Sequence, residues 1–236
     1  MSTVVFVRHG LTAMTGPVLA GHTPGLHLDE RGTAQAVAVA ARLAPVPLAA
    51  VVTSPLDRCL ETAAAILSGR SLTAEVEPDL VEVRYGDWTG RQLKELAKEP
   101  LWRVVQAHPS AAVFPGDAGE GLAAAQARAV AAVRAWDARI TASHGADAVW
   151  LACSHGDIIK AVLADALGMH LDLFQRLVVD PCSVSVVRYT ETRPFVLRVN
   201  DTGGDVAALL PPPKRKRRSS KKAAEDAAVG GGAGPG

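Results

Sequence analysis

The chain has 236 residues, 48% of them hydrophobic and 21% charged, with a net charge of +1. That is enough chain for one generous domain with an ordinary core, and the composition excludes a disordered or fibrous protein. No run of 18 apolar residues is present and MSTVVFVRHG lacks a charged n-region and long apolar stretch, so neither a membrane span nor a signal peptide is expected.

In chain order, residues 3–7 predict a buried strand. Residues 28–44 predict a helix with Asp29 as N-cap and Ala36, Val39 and Leu43 on one face. LAAVVTSP (48–55) reads as a second apolar strand. Ser54-Pro55 then reads as a capping serine and first-turn proline for the helix DRCLETAAAIL. TAEVEP (73–78) is a short strand, and 91–107 is helical with an interruption at Pro100. Residues 119–143 form a long Ala-rich helix with Ala129, Val133, Trp136 and Ile140 on one face. AVWLAC (148–153) is a strand, 158–167 a helix closed by Gly168, and 183–200 a terminal hairpin. Strands alternating with helices predict an α/β fold: a three-layer sandwich with a mostly parallel central sheet and helices on both faces.

The charge is unevenly placed. KRKRRSSKK (214–222) holds seven of the 25 Lys and Arg residues; up to Pro213 there are 18 Lys and Arg against 22 Asp and Glu, a net of −4. A folded domain over 1–210 is therefore expected to precede a disordered tail over 211–236, first basic and then Gly-rich. The basic run could touch nucleic acid, but a solvated, solubilising tail is the simpler reading. The tail lies outside every motif below, so its loss is expected to leave catalysis unchanged. Cys59, Cys153 and Cys182 have no metal or redox spacing and are expected to be reduced core thiols in a cytoplasmic protein.

Ligands of open α/β sheets gather at the carboxyl ends of the strands. Three junctions meet that rule together: VVFV-RHG, AAVV-TSPLDR and WLAC-SHGD. They present Arg8, His9, Arg58 and His155, and the loop LVEVRYGDWTG adds Glu82. Two arginines and two histidines on one edge make an anion site, because a guanidinium fork matches phosphate and stays charged. Gly10, Gly21 and Gly156 would let backbone N–H groups approach the same oxygens, and a helix starting near Asp157 would aim its positive end there. A histidine in such a field can act as nucleophile, with Glu82 passing a proton to the leaving alcohol and later taking one from water.

RHGLT, TSPLDRCLETA, the glutamate of EVRYGDWTG, and SHGD resemble, in order and approximate spacing, the histidine phosphatase superfamily, the phosphoglycerate mutase-like proteins. The resemblance runs from residue 4 to about 187 and is most similar to an actinobacterial subgroup labelled phosphomutases. It implies His9 as the phosphorylated nucleophile, Arg8, Arg58 and His155 as the phosphate clamp, Glu82 as acid/base and Thr12 as a further phosphate contact. Gly21 and Gly156 join the phosphate-binding set. Thr15 stands where the family often has asparagine, and no adjacent arginine pair lies between Trp88 and Gly121.

Each residue has a plainer alternative. Arg8 and His9 could be a surfacing strand end, and Arg58 an exposed helix arginine. Glu77, Asp79 and Asp87 compete with Glu82, which motif register alone selects. Asp157 reads as a helix cap. His22, His27, His108, His144 and His170 read as solvated, and Tyr85 and Trp88 as pocket wall or core. No metal-ligand pattern such as HExxH occurs, so no metal and no cofactor are expected.

The expected activity is hydrolysis of a small phosphorylated metabolite through a phosphohistidine. The alternatives are a phosphomutase on such a metabolite and a phosphate-binding regulator without turnover. The expected partner is the phosphorylated substrate and not a membrane; a homodimer is one option for the oligomeric state.

Overall fold

A computed structural model describes residues 1–204 together with Gly230 and Gly232. The domain boundary at 210 and the tail over 211–236, those two glycines apart, lie outside the described residues.

Six strands make one mixed sheet: β1 (Thr3–Arg8), β2 (Leu48–Thr53), β3 (Ala74–Val76), β4 (Val149–Ser154), β5 (Val184–Tyr189) and β6 (Pro194–Asp201). Their spatial order is β3-β2-β4-β1-β5-β6. Pairs β1/β4, β2/β4 and β2/β3 are parallel, while β5 is antiparallel to both neighbours. So β5 alone runs against the rest, as the predicted hairpin requires.

The side-chain alternation of β1 decides the layering. Val4 and Phe6 join a core cluster with α5 (Leu122–His144) and α6 (Gly156–Ala166). Val5 and Val7 join a second cluster with α1 (Glu30–Leu43) and α2 (Asp57–Leu67). β4 divides likewise, Trp150 and Ala152 to one side, Leu151 and Cys153 to the other. The three-layer sandwich is thus present. Each fully buried Val or Leu contributes about 1.5–3 kcal/mol.

Most predicted elements form as read. Asp29 caps α1 by accepting from the Gly32 N–H at 2.8 Å. The helical stretch before α5 breaks ahead of Pro100 into α3 (Leu93–Leu96) and α4 (Pro100–Ala107), since proline suits a first turn and not a helix interior. The predicted face of α5 is buried at Ala129, Val133, Trp136 and Ile140.

Two helix starts differ from the reading. Helix α2 opens at Asp57 with Leu56 as N-cap and no side-chain cap, because the Ser54 hydroxyl is engaged elsewhere. Helix α6 opens at Gly156, with His155 as N-cap. Asp157 therefore does not cap it.

Candidate active site

The carboxyl ends of β1, β4 and β2 are level. Arg8 pairs with Ser154 and Thr53 with Cys153, and the His9 and Ser54 N–H groups continue the ladder to the Ser154 and Cys153 carbonyls, both at 3.0 Å. This register brings Arg8, His9, Ser54 and His155 to one edge. Arg58, in the first turn of α2, and Glu82, just beyond a short 3-10 helix (Pro78–Leu80), close over it. The RHG turn fits tightly against α1. A Cβ on Gly10 would stand 2.5 Å from the Gly32 carbonyl oxygen, so only glycine permits that approach.

All five core residues are buried, none more than 5% exposed. Arg8, His9, Thr12, Gly21, Arg58 and Glu82 line one narrow cavity, together with Thr15 and Tyr85. His155 and Gly156 do not form its wall. His155 lies behind His9, ring centroids 5.2 Å apart and edge-on. The predicted clamp is therefore layered.

Hydrogen bonds assign the tautomers. His9 Nδ1 lies 2.7 Å from the Gly10 carbonyl oxygen, which can only accept. Nδ1 therefore carries the proton, and Nε2 keeps its lone pair while receiving the Arg58 Nε–H at 3.2 Å. Arg58 Nη2 donates to the Gly21 carbonyl at 2.8 Å and to His155 Nδ1 at 3.2 Å. That leaves His155 Nε2 as donor to Ser54 Oγ at 2.7 Å. Burial first, then Arg58, pushes both histidines well below their ordinary pKa, with Arg8 adding to the effect on His9 and the His9 ring to that on His155. Both rings are neutral at physiological pH.

Two observations point to an anion. Arg58 Nη1 is buried with no hydrogen-bond partner among the described residues, and a buried cationic donor left unmet is costly. Arg8, also buried, donates from Nη1 to the Val179 carbonyl at 2.9 Å and to the Gly232 carbonyl at 2.6 Å. Its Nη2 reaches the Gly230 carbonyl at 3.4 Å, and Gly230 lines the cavity. Two described residues of the predicted tail thus reach Arg8 at the site.

Burial, followed by the charge of Asp157, raises Glu82 from 4.5 to about 7; a hydrogen bond from the Val83 N–H and the charges of Arg58 and Arg8 oppose this. Its backbone is held as well. The Glu82 carbonyl takes His22 Nε2 at 2.7 Å and Arg128 Nη2 at 3.1 Å. His22 is thus half-buried and structural, not solvated as read. Arg128 also donates to the Asp79 and Val81 carbonyls and pairs with Glu120 at 2.6 Å. One of three arginines on an Ala-rich helix, Arg128 carries no sequence signal for that role.

The remaining readings divide. Thr12 is held by Thr15, whose Oγ accepts from the Thr12 N–H at 3.0 Å and lies 2.9 Å from its hydroxyl. Tyr85 lines the cavity, whereas Trp88 packs on Phe114 and Trp102 in the core. Gly21, at φ +49°, lies so close to Thr89 and Tyr85 that a Cβ would clash. Among the described residues no group of three or more His, Cys, Asp or Glu side chains gathers as a metal site, and no helix is long and apolar enough to cross a membrane.

The fold and this edge define an α/β protein with a buried, doubly cationic anion pocket around a neutral histidine. Residues 4–202 match the histidine phosphatase superfamily, branch 1, and the chain belongs to that superfamily. An uncharacterised protein of Mycobacterium tuberculosis is 47% identical over 76 residues, which is 32% of this chain and 38% of that protein. The chain thus spans well under half the length of that curated relative. Phosphoserine phosphatase 1 of Hydrogenobacter thermophilus is 30% identical over 86% of this chain and 93% of its own. The crystal structure of the alpha-ribazole phosphatase from Shigella flexneri superposes with a TM-score of 0.71 at 26% identity, covering 86% of this chain and 98% of that one.

Proposed function

We propose that the protein is a phosphomonoesterase acting on a small phosphorylated metabolite through a phosphohistidine on His9. The observation that carries this reading is the His9 ring: Nδ1 is tied to the Gly10 carbonyl and Nε2 is unprotonated against Arg58. The names of the phosphatase relatives support the hydrolytic outcome.

In the first step the Nε2 lone pair attacks phosphorus and the ester P–O bond breaks. Glu82, which holds its proton to about pH 7, gives that proton to the leaving oxygen. In the second step water attacks the phosphohistidine, the Glu82 carboxylate takes a proton from it, and the P–N bond breaks to return neutral His9 and inorganic phosphate. Arg8 and Arg58 hold the non-bridging oxygens in both steps, where charge must be stabilised. His155 keeps Arg58 in place through Nη2, with Ser54 fixing His155.

The pocket beside His9 would take the phosphoryl group, and a recess of about 350 Å³ lined by His22, Arg84, Gly86 and Thr89 would hold the rest of a metabolite. Three buried free thiols, Cys59, Cys153 and Cys182, support a reducing cytoplasm.

The test is to label the protein with a phosphorylated substrate and seek an acid-labile, base-stable phosphoryl group. His9→Ala should lose both label and turnover; robust labelling of that variant would overturn the reading. A screen of phosphorylated metabolites that follows free phosphate and isomerised product separates hydrolysis from mutase chemistry.

A further inference from the structure

Behind the cavity wall stands a buried charged cluster that the hydrolytic scheme leaves unused. Asp157, the second residue of α6, is 1% exposed, and Lys160, one turn on, 3%. Their Oδ1 and Nζ lie 2.9 Å apart. Asp157 Oδ2 accepts the Tyr85 hydroxyl at 2.9 Å and the Gly230 N–H at 2.9 Å. Lys160 also donates to Gln175 Oε1 at 2.6 Å and sits 5.0 Å over the Phe174 ring.

A buried ion pair is a poor device for stability, since apolar residues of equal volume commonly do as well. Its position suggests another use. The Tyr85 ring lines the cavity with Glu82, while its hydroxyl reaches back to Asp157. One tyrosine therefore links the wall around Glu82 to the carboxyl group that Lys160 pairs with.

The charges that face Glu82 come from several elements. Arg8 at the end of β1 and Arg58 on α2 favour its ionised form, and Asp157 on α6 opposes it. His22 and Arg128 touch only its backbone carbonyl. His9 and His155 are neutral, and Tyr85 is held well above its usual pKa by burial and by Asp157.

We propose that Asp157 is a positioning residue acting through Glu82: paired with Lys160 and tied by the Tyr85 hydroxyl to the wall that Glu82 shares, it sets how Glu82 delivers its proton to the leaving oxygen. This rests on Glu82 as the general acid. Asp157 touches no reacting atom in this scheme, and its neutral isostere is the informative change.

The test compares pH profiles of kcat/KM for phosphoserine and for p-nitrophenyl phosphate. Asp157→Asn should move the alkaline limb for phosphoserine to lower pH by about one unit, roughly a tenfold loss at pH 8. p-Nitrophenyl phosphate, whose leaving group needs little acid, should change by less than about threefold. Asp157→Ser, smaller but equally neutral, should give the same shift, so a folding failure of one variant leaves the other to decide. Adding Asp157→Asn to Glu82→Gln should cost nothing further on phosphoserine. An unmoved limb in the neutral variants, or an additive loss in the double variant, overturns the proposal. If Glu82→Gln itself fails to separate the two substrates, the general-acid reading has failed instead. If Asp157→Asn alone separates them, Asp157 is the donor and both are overturned.

Discussion

Arg58 Nε lies 3.2 Å from His9 Nε2, the nitrogen that the Gly10 carbonyl leaves without a proton, and Arg58 Nη2 lies 3.2 Å from His155 Nδ1. One guanidinium therefore spans both rings, adds its charge to the burial that keeps each neutral, and still has Nη1 without a partner among the described residues. On the proposed mechanism such a group would aim the nucleophile and meet the anion at once.

Arg58→Ala is accordingly expected to slow every substrate alike. Removing one preorganised donor costs on the order of 10²–10³ in rate, and the chemistry of the leaving group does not enter. Steady-state kcat/KM on phosphoserine and p-nitrophenyl phosphate checks this. A loss confined to one of them would take Arg58 away from the transferring phosphoryl group.

Glu82 also ties stability to pH. Its folded carboxyl titrates at about 7 against 4.5 for the ordinary group, so the fold holds that proton more tightly than the unfolded chain does. The contribution is full below about pH 4.5 and is lost as pH rises towards about 7, a difference of roughly 3 kcal/mol. Glu82→Gln, neutral throughout, should therefore melt higher than the parent at pH 8, by several degrees at roughly 2–4 °C per kcal/mol, with a smaller difference at pH 5. The depressed histidines His9 and His155 act oppositely, their stability present above 6.5 and lost as pH falls, but they are common to both proteins and cancel. An equal melting difference at pH 5 and pH 8 would contradict the buried-acid account.

The layered sheet was legible because strand and helix periods are written in hydrophobic spacing: Val4 to Val7 alternate between two cores as the pleat demands. The site edge was legible because three apolar strands end at one level, each with Arg or His at its end or within a few residues beyond it. What stayed hidden depends on which of several partners a polar group chooses. Ser54 precedes a helix and a proline as a cap would, yet its hydroxyl goes to His155 across 101 residues of chain. His22 sits in a glycine-rich loop and finds the Glu82 carbonyl. Asp157 follows a motif histidine at a helix start, yet Tyr85 and Lys160 claim its carboxylate. Local sequence ranks such options but cannot choose among them, because the deciding partner lies far off in the chain.

The two described tail glycines bear on catalysis. The Gly232 carbonyl lies 2.6 Å from Arg8 Nη1, on the guanidinium that a phosphoryl oxygen would need. Carbonyl and phosphoryl oxygen cannot both occupy that position. Removing residues 205–236 is expected to lower KM for a phosphomonoester by about tenfold, the equivalent of one charge-assisted hydrogen bond of roughly 1.5 kcal/mol. The value of kcat should hardly change. Inhibition by inorganic phosphate, measured on the full chain and the truncated one, should tighten in parallel. Identical KM and phosphate inhibition in both would mean that the glycines do not compete with substrate.

In the proposed mechanism Glu82 and the arginines divide the work in the pocket as follows, and the division predicts a dependence on the leaving group. The arginines meet charge on the phosphoryl oxygens, which every substrate carries. Glu82 supplies a proton, which only a basic leaving oxygen requires. An alkoxide departing from phosphoserine is a strong base and needs that proton in the transition state, whereas p-nitrophenolate is a stable anion without it. General acid catalysis is typically worth about 10²–10⁴, so Glu82→Gln should lose that much on phosphoserine and far less on p-nitrophenyl phosphate. The parent should show an alkaline limb near pH 7 on phosphoserine, where Glu82 gives up its proton, and Glu82→Gln should lack it. Measuring kcat/KM from pH 5 to 9 on both substrates checks both statements. Equal losses on the two leaving groups, with the limb still present, would assign the proton to another group, and Asp157, 1% exposed and bonded to Tyr85 in the same wall, is the first to test.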